Sequence, residues 1–290
     1  MPGGFPGVED TVRVRIPAVA TALLIAVLAG CAGPGDGSRK HAADPKGSAD
    51  AKGTAGRSGA AGAPTGIQSP AGRPAPAERA GDLPGLGPRT RAEVPRDAEQ
   101  VVVVTGNGRN ATRSSVVLYE RSAAEGTTGD REGDADGGPT WRAGPSWKAH
   151  NAARGWTDHH RQGDLRSPIG VFPLTDAGGK LPDPGTRLTY DHAVQGFTIT
   201  GTGAEGEPLA GAFDYVVAIN YNRKAGTSPR DWTRPLGEDR GGGIWFHVDH
   251  DGPTQGCVSL SKAHMRKLLR TLDPARHPVV VMGDAGSLAR

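Results

Sequence analysis

The chain has 290 residues, a formal net charge of +3, 45 glycines and 24 prolines, and half of the prolines lie in the first third. Residues 31–80 carry seven basic and four acidic side chains, so they hold the whole charge excess and leave residues 81–290 neutral. This composition excludes a packed core in the first third. The basic character belongs to this segment, so it gives no support to a nucleic-acid partner.

The first 30 residues are typical of an export signal. Arg13 and Arg15 precede an apolar run, residues 16–30, which is too short to span a membrane and suits the core of a signal peptide. The run ends in Leu-Ala-Gly-Cys31, which resembles the lipobox of bacterial lipoproteins and implies cleavage before Cys31 and a lipid on its sulfur. We therefore expect an extracytoplasmic protein anchored in the membrane through Cys31. The alternative is an ordinary signal peptide in which Cys31 is incidental.

The composition changes again near residue 98. Residues 31–97 are mostly Ala, Gly, Pro, Ser and scattered charges, which predicts a disordered tether. Residues 98–290 contain apolar and alternating runs separated by turn residues, which predicts one globular domain. The candidate strands are residues 101–105, 114–119, 141–147, 186–190, 213–221 and 278–282, and one that ends at His247.

One stretch predicts a clear helix. Ser261 is a good N-cap for residues 262–272, in which Met265, Leu268, Leu269 and Leu272 repeat every three or four positions, and Pro274 follows. Many short strands with a single clear helix predict a mostly β domain, either a sandwich or a barrel-like pair of sheets.

The stretch from Gly243 to Leu260 carries the candidate chemistry. An apolar strand ends at His247, and a Gly/Pro-rich loop leads to Gly256 and Cys257 at the start of a second apolar run. If Cys31 carries a lipid, Cys257 has no second cysteine with which to form a disulfide, and such a thiol in an exported protein suggests use. His247 could take its proton or stabilise its thiolate, and the backbone N–H groups of Gly256 and Cys257 could hold an oxyanion. The alternative is a buried, inert cysteine.

Two other assignments remain open. His250 is close enough in sequence to compete with His247 as the base, although it lies in the loop. His247, Cys257 and either Asp249 or His250 could also bind a metal, but the second cysteine or acidic base of zinc hydrolases and deaminases is missing.

The chain from about Gln100 onward resembles the L,D-transpeptidase (YkuD) catalytic domain, in its ErfK/YbiS-like branch. The matching segments are residues 166–172 (RSPIGVF), 184–185 (PG), 215–222 (YVVAINYN), 243–247 (GIWFH) and 253–258 (PTQGCV). The resemblance implies a β-sandwich of two mixed sheets, no cofactor and peptidoglycan stem peptides as partners. It also implies that Cys257 attacks the third residue of a tetrapeptide stem, expels D-Ala and transfers the acyl group to a neighbouring amine, giving a 3→3 crosslink. His247 then matches the proton donor and acceptor.

The sequence departs from the family motif at two positions. Gln255 stands where a second histidine is common, and Ser259 stands in place of an arginine. An arginine would be the natural partner of a substrate carboxylate, and Arg223, Lys224 or Arg240 from the long loop at residues 222–242 could replace it. Two variants of the function use the same acyl-enzyme, an L,D-carboxypeptidase and a transferase that anchors proteins to the wall. A non-catalytic peptidoglycan-binding module is the alternative of another class.

Overall fold

The protein is described from a computed structural model, which covers residues 83–122 and 140–290. Within these residues it has three α-helices: α1 (Pro88–Glu93), α2 (Lys262–Thr271) and α3 (Ala285–Leu288). Thirteen strands accompany them in the same residues: β1 (Gln100–Gly106), β2 (Arg113–Arg121), β3 (Trp141–Ala143), β4 (Trp147–His150), β5 (Trp156–Thr157), β6 (Ser167–Pro168), β7 (Gly170–Pro173), β8 (Asp176–Gly179), β9 (Thr189–His192), β10 (Val216–Ala218), β11 (Trp245–Val248), β12 (Val258–Leu260) and β13 (Val279–Asp284).

Eleven of the strands form one curled mixed sheet. Its order is β7-β13-β1-β2-β4-β12-β11-β10-β8-β9, with β3 paired to β2, while β5 and β6 form a separate parallel pair. The mostly β fold predicted from the sequence is confirmed. The two expected sheets are joined into one, because β4 pairs with β12 through Ser259↔His150 and Leu260↔Ala149.

The core lies inside the curled sheet, and alternation along the strands assigns each side chain to a face. In β1, Val102 and Val104 enter the main core, whereas Val101 and Val103 enter a second apolar cluster on the opposite face. β-branched residues suit such a strand because they pack well on a pleated surface. β10 alternates in the same way, so Val216 and Ala218 face a third cluster that contains Cys257.

Helix α2 closes the main core as the sequence predicts. The hydroxyl of Ser261 accepts the backbone N–H of His264 at 3.2 Å, which is the expected N-cap bond. Met265, Leu268, Leu269 and Leu272 are all fully buried in the main core. The apolar stripe therefore holds the helix on the inner face of the sheet.

The packed domain begins earlier than the predicted boundary at residue 98. Leu83 and Leu86 are buried in the second cluster, and the backbone N–H of Gly87 donates to Leu288 at 2.8 Å. Helix α1 thus lies inside the range predicted as a tether, and the two leucines that precede it are the apolar anchor that the composition of residues 31–97 concealed. The predicted signal peptide and Cys31 lie outside the described residues. In the part that is described, no helix has both the length and the apolar character needed to cross a membrane.

Candidate active site

Strands β11 and β12 place His247 and Cys257 on one face of the sheet. The two strands run parallel in the register Phe246↔Val258 and His247↔Ser259. Cys257 therefore lies beside Trp245, one position before the first pair, and His247 is its diagonal neighbour on the same face. The sequence places the two residues at the end of one strand and the start of another, and the parallel pairing of those strands makes them near neighbours in the sheet.

The thiol of Cys257 lies in the interior and contacts the backbone on both sides. Cys257 is fully buried, and its apolar cluster also contains Phe213 and Trp245. The backbone N–H of Trp245 donates to Sγ at 3.4 Å, and Sγ lies 3.5 Å from the carbonyl oxygen of Gly243, to which it can donate. An N–H donor aimed at the sulfur favours negative charge there. The N–H of Trp245 therefore favours the thiolate, whereas the carbonyl oxygen of Gly243 favours the protonated thiol.

His247 is buried with one ring nitrogen bonded and the other unpartnered. Its Nδ1 lies 2.9 Å from the carbonyl oxygen of Val248, which can only accept, so Nδ1 carries the proton. Its Nε2 is buried and makes no hydrogen bond. Burial lowers the pKa of His247 to about 4, and the neighbouring His250 adds to this effect against the opposing backbone bond. The ring is thus a neutral imidazole with a free lone pair at neutral pH, which can accept a proton.

A narrow cleft opens onto His247. One wall comes from residues 199–212 and another from residues 253–255, and Phe213, His247 and His250 complete the lining. The ring of Phe213 meets that of His247 edge to face at 5.6 Å. A largely apolar cleft with a few polar groups is the usual form of a binding site for a small molecule or a peptide.

Glu207 connects the two walls of the cleft. Its Oε1 lies 3.1 Å from Nδ1 of His250, close enough for a charged contact but outside hydrogen-bond alignment, and both side chains are almost fully buried. His250 in turn stacks parallel to His247 with ring centroids 5.6 Å apart. Gly203 and Gly252 press on Glu207 from both sides, since a methyl group on either would lie about 2 Å from Oε1. His250 therefore packs behind His247 and touches the wall, instead of replacing His247 beside Cys257.

The loop before Cys257 is held by side-chain hydroxyls. Thr254 Oγ1 donates to the carbonyl oxygen of Cys257 at 2.6 Å, and Ser167 Oγ donates to the same oxygen at 3.3 Å. The backbone N–H of Gly256 donates to Thr254 Oγ1 at 3.3 Å. Gly256, predicted as an oxyanion donor, is thus engaged here by a long and weak bond. It also has no room for a side chain, because a methyl group would lie 2.9 Å from Ile244.

His160 is a neighbour of the site that the sequence alone did not indicate. Its ring lies against the backbone at Gly241 and Gly256, where added methyl groups would approach it to 3.0 Å and 3.7 Å. Burial lowers its pKa, although Asp164 opposes this effect. The sequence signal that could have identified His160 is its position just before the family-like segment at residues 166–172. The pairing of β5 with β6 brings that segment back to the site.

The loop at residues 222–242 lies beside the site, but Arg223 does not serve it. Asn222 ties the loop together by donating to the carbonyl oxygens of Gly237 and Gly241 at 2.9 Å and 2.5 Å. Arg223 forms a buried ion pair with Asp176 at 2.9 Å, and both side chains are 2% exposed. The suggestion that Arg223 receives a substrate carboxylate is therefore wrong, because a protein carboxylate already occupies it.

The residues considered for a metal have other partners. Asp249 Oδ1 accepts from Ser259 at 2.8 Å and lies 2.9 Å from Nδ1 of His150, whose pKa is raised mainly by this hydrogen bond. Among the described residues, no three His, Cys, Asp or Glu side chains converge as metal ligands.

Comparison with known proteins identifies the domain. The family model of the YkuD L,D-transpeptidase catalytic domain matches residues 135–281, half of the chain, and this range contains both His247 and Cys257. Neither the curated proteins nor the solved structures include a match to this sequence. The chain belongs to the YkuD family of L,D-transpeptidase catalytic domains, transpeptidase-type enzymes that act on peptidoglycan stem peptides.

Proposed function

We propose that this protein is a peptidoglycan L,D-transpeptidase in which Cys257 is the nucleophile and His247 carries the proton. The observation that carries the proposal is the free Nε2 lone pair of a neutral, buried imidazole on the same sheet face as the thiol. The ring of His250 faces Glu207, and that of His160 lies against Gly241 and Gly256. His247 is therefore the histidine that fits the role of proton carrier.

The reaction has two transfers. In the first, His247 takes the thiol proton, Sγ attacks the carbonyl of the third stem residue, and the bond to the terminal D-Ala breaks as its nitrogen receives that proton from His247. In the second, an amine on a neighbouring stem attacks the thioester, loses a proton to His247, and expels the Cys257 thiolate, which regains the proton. The product is a 3→3 crosslink, and no proton is gained or lost by the enzyme over the cycle.

Backbone N–H groups complete the proposed mechanism. The N–H groups of Gly256 and Cys257 are the candidate donors for the oxyanion that forms in each tetrahedral intermediate. Gly256 would exchange its long bond to Thr254 Oγ1 for this stronger, charge-assisted bond. Its lack of a side chain lets Ile244 pack against the same turn and fix its position.

The burial of the site has a consequence for the acceptor. Cys257 is fully buried and His247 is 1% exposed, so a donor peptide must separate side chains that now cover them. A thioester formed there would be shielded from water by apolar groups such as Phe213. This shielding favours an amine acceptor over hydrolysis, and hence the transpeptidase over the carboxypeptidase.

Mass spectrometry of the full chain with a tetrapeptide stem tests the proposal. The wild type should release D-Ala, carry an acyl group on Cys257 and form a crosslinked dimer, whereas Cys257→Ala should do none of these. His247→Gln should acylate at least about 100-fold more slowly. Release of D-Ala without a dimer would indicate the carboxypeptidase. Wall binding that is unchanged in Cys257→Ala, with no turnover by the wild type, would indicate a binding module.

The place of action is part of the proposal. Leu-Ala-Gly-Cys31 after a short apolar run supports lipid attachment at Cys31 and work outside the cytoplasm at the membrane face. Intact-mass analysis of the chain purified from a bacterial membrane should show the mass of a diacylglycerol, which Cys31→Ala should abolish. A wild-type chain found in the soluble fraction without a lipid would contradict this proposal.

A further inference from the structure

The loop at residues 222–242 contains four arginines, and they differ in whether they form an ion pair with a carboxylate of the protein. Arg223 pairs with Asp176, and Arg230 contacts both carboxylate oxygens of Asp191 at 2.9 Å and 3.3 Å. Among the described residues, Arg234 and Arg240 have no carboxylate within ion-pair distance. The loop therefore keeps two guanidinium groups outside any ion pair with a described residue, although the charges of Glu238 and Asp231 act on Arg234 from a longer range.

Arg234 is the better placed of the two to serve the reaction. It covers the glycine run at residues 241–243, since a methyl group on Gly242 would lie 2.4 Å from Nε of Arg234. The next residue, Gly243, supplies the carbonyl oxygen that contacts Cys257 Sγ. The guanidinium thus lies against Gly242, the residue before the one whose carbonyl oxygen contacts the thiol. A side chain at Gly242 would displace it.

The guanidinium of Arg234 retains unused donors. Its Nη1 makes two bonds, both 3.3 Å long, to the carbonyl oxygens of Asp231 and Thr233, whereas Nε and Nη2 have no hydrogen-bond acceptor in the described part of the chain. Its central carbon stacks 4.6 Å from the ring of Trp232, which is 41% exposed. Stacking fixes the plane of the guanidinium without using its edge, and an arginine edge fits a carboxylate in two parallel bonds. Partial burial lowers the pKa of Arg234, and a bound anion would offset that cost.

We propose that Arg234 recognises the C-terminal carboxylate of the donor stem and thereby determines which bond Cys257 attacks. This inference rests on the proposed function. In a tetrapeptide the carboxylate lies one residue beyond the attacked carbonyl, a spacing of about 3.8 Å between α-carbons. Arg234 covers Gly242, the residue before the one whose carbonyl oxygen contacts the thiol, which puts its guanidinium about one residue from the point of attack. A peptide with one more residue would carry its carboxylate past the guanidinium.

Kinetics with paired donors test this assignment. One tetrapeptide ends in a free carboxylate and the other in a carboxamide, and kcat/KM for acylation of Cys257 is measured in the full chain by the loss of the terminal residue. The wild type should prefer the acid roughly 10- to 100-fold, the value of a charge-assisted pair. Arg234→Gln should lose this preference through a slower reaction of the acid alone. Arg234→Lys should retain part of it, and Arg230→Gln, whose arginine is already paired, should retain all of it.

The outcomes separate this inference from the proposed function. Acylation of the wild type by both peptides without preference would overturn the role of Arg234 and leave the proposed function intact. An equal loss for both peptides in Arg234→Gln and Arg234→Lys would mean that the arginine is structural, and loss of the preference in Arg240→Gln alone would move the role to Arg240. Acylation by neither peptide would overturn the proposed function and this inference with it.

Discussion

The Nδ1–H group of His247 donates to the carbonyl oxygen of Val248 at 2.9 Å, and this bond fixes which nitrogen of the ring holds the proton. Val248 thereby orients the ring of the preceding His247 and selects its tautomer, as carboxylates and carbonyls do for catalytic histidines in other enzymes. Because the ring is buried in the same strand, Nε2 is left with a lone pair and no competing donor.

The buried His247 should make the fold sensitive to acid. Its pKa is about 4 in the folded chain and about 6.5 when unfolded, so between these values the unfolded chain binds a proton that the folded chain does not. Stability should therefore fall as the pH drops below about 6.5, by up to about 3 kcal/mol near pH 4. Urea unfolding at several pH values should show a shallower decline in His247→Gln. His160, whose pKa is also lowered, should keep some slope in that variant, and an unchanged slope would contradict the role of His247.

The sequence predicted the features that depend on local pattern. The valines of β1 alternate between two cores because neighbouring side chains of a strand point to opposite faces, and Ser261 caps α2 because its hydroxyl reaches the first free N–H group. Cys257 and His247 were recognisable because His247 ends one apolar run and Cys257 begins the next. These inferences need only the immediate neighbours along the chain.

The features that the sequence did not predict depend on distant partners. Strand β8 (Asp176–Gly179) has no apolar alternation and exists because β9 and β10 pair with it. Glu207 has no motif, and its position beside His250 depends on the close packing of Gly203 and Gly252 and on the N–H of Glu205, which donates to its carboxylate. Arg223 was taken for an anion receptor because Asp176, its buried partner, is 47 positions away.

The hydroxyl of Thr254 should be needed both for stability and for the rate of acylation. It donates to the carbonyl oxygen of Cys257 and accepts the N–H of Gly256, so Thr254→Val leaves two buried polar groups with weaker partners. We expect a loss of about 1–3 kcal/mol in the free energy of unfolding and acylation slower by up to about 100-fold, because Cys257, the proposed nucleophile, shifts. Thr254→Ser keeps the hydroxyl and should stay close to the wild type in both measurements. Equal rates in the valine and serine variants would refute this role.

Gly203 should be intolerant of even a methyl group. The methyl of Gly203→Ala would lie 2.1 Å from Oε1 of Glu207, which must then leave His250. We expect a loss of roughly 1–3 kcal/mol in the free energy of unfolding and faster hydrogen exchange at the N–H of Gly203, which now donates to the carbonyl of Glu207 at 2.8 Å. Gly108→Ala is the control, since its methyl would meet no atom within 4 Å. If both variants lose the same stability, the contact with Glu207 is not the cause.

The ion pair between Arg223 and Asp176 should contribute far more to stability than an exposed pair. Both side chains are 2% exposed, so Arg223→Gln leaves a carboxylate in the interior without its counter-charge, at a cost of about 3–5 kcal/mol. Arg187 pairs with Asp273 at a similar distance, 2.7 Å, but its side chain is 66% exposed, and Arg187→Gln should cost about 0–1 kcal/mol. Urea unfolding of both variants compares them directly. Similar losses would mean that water or a rearranged loop compensates Asp176, and that burial does not decide the value of the pair.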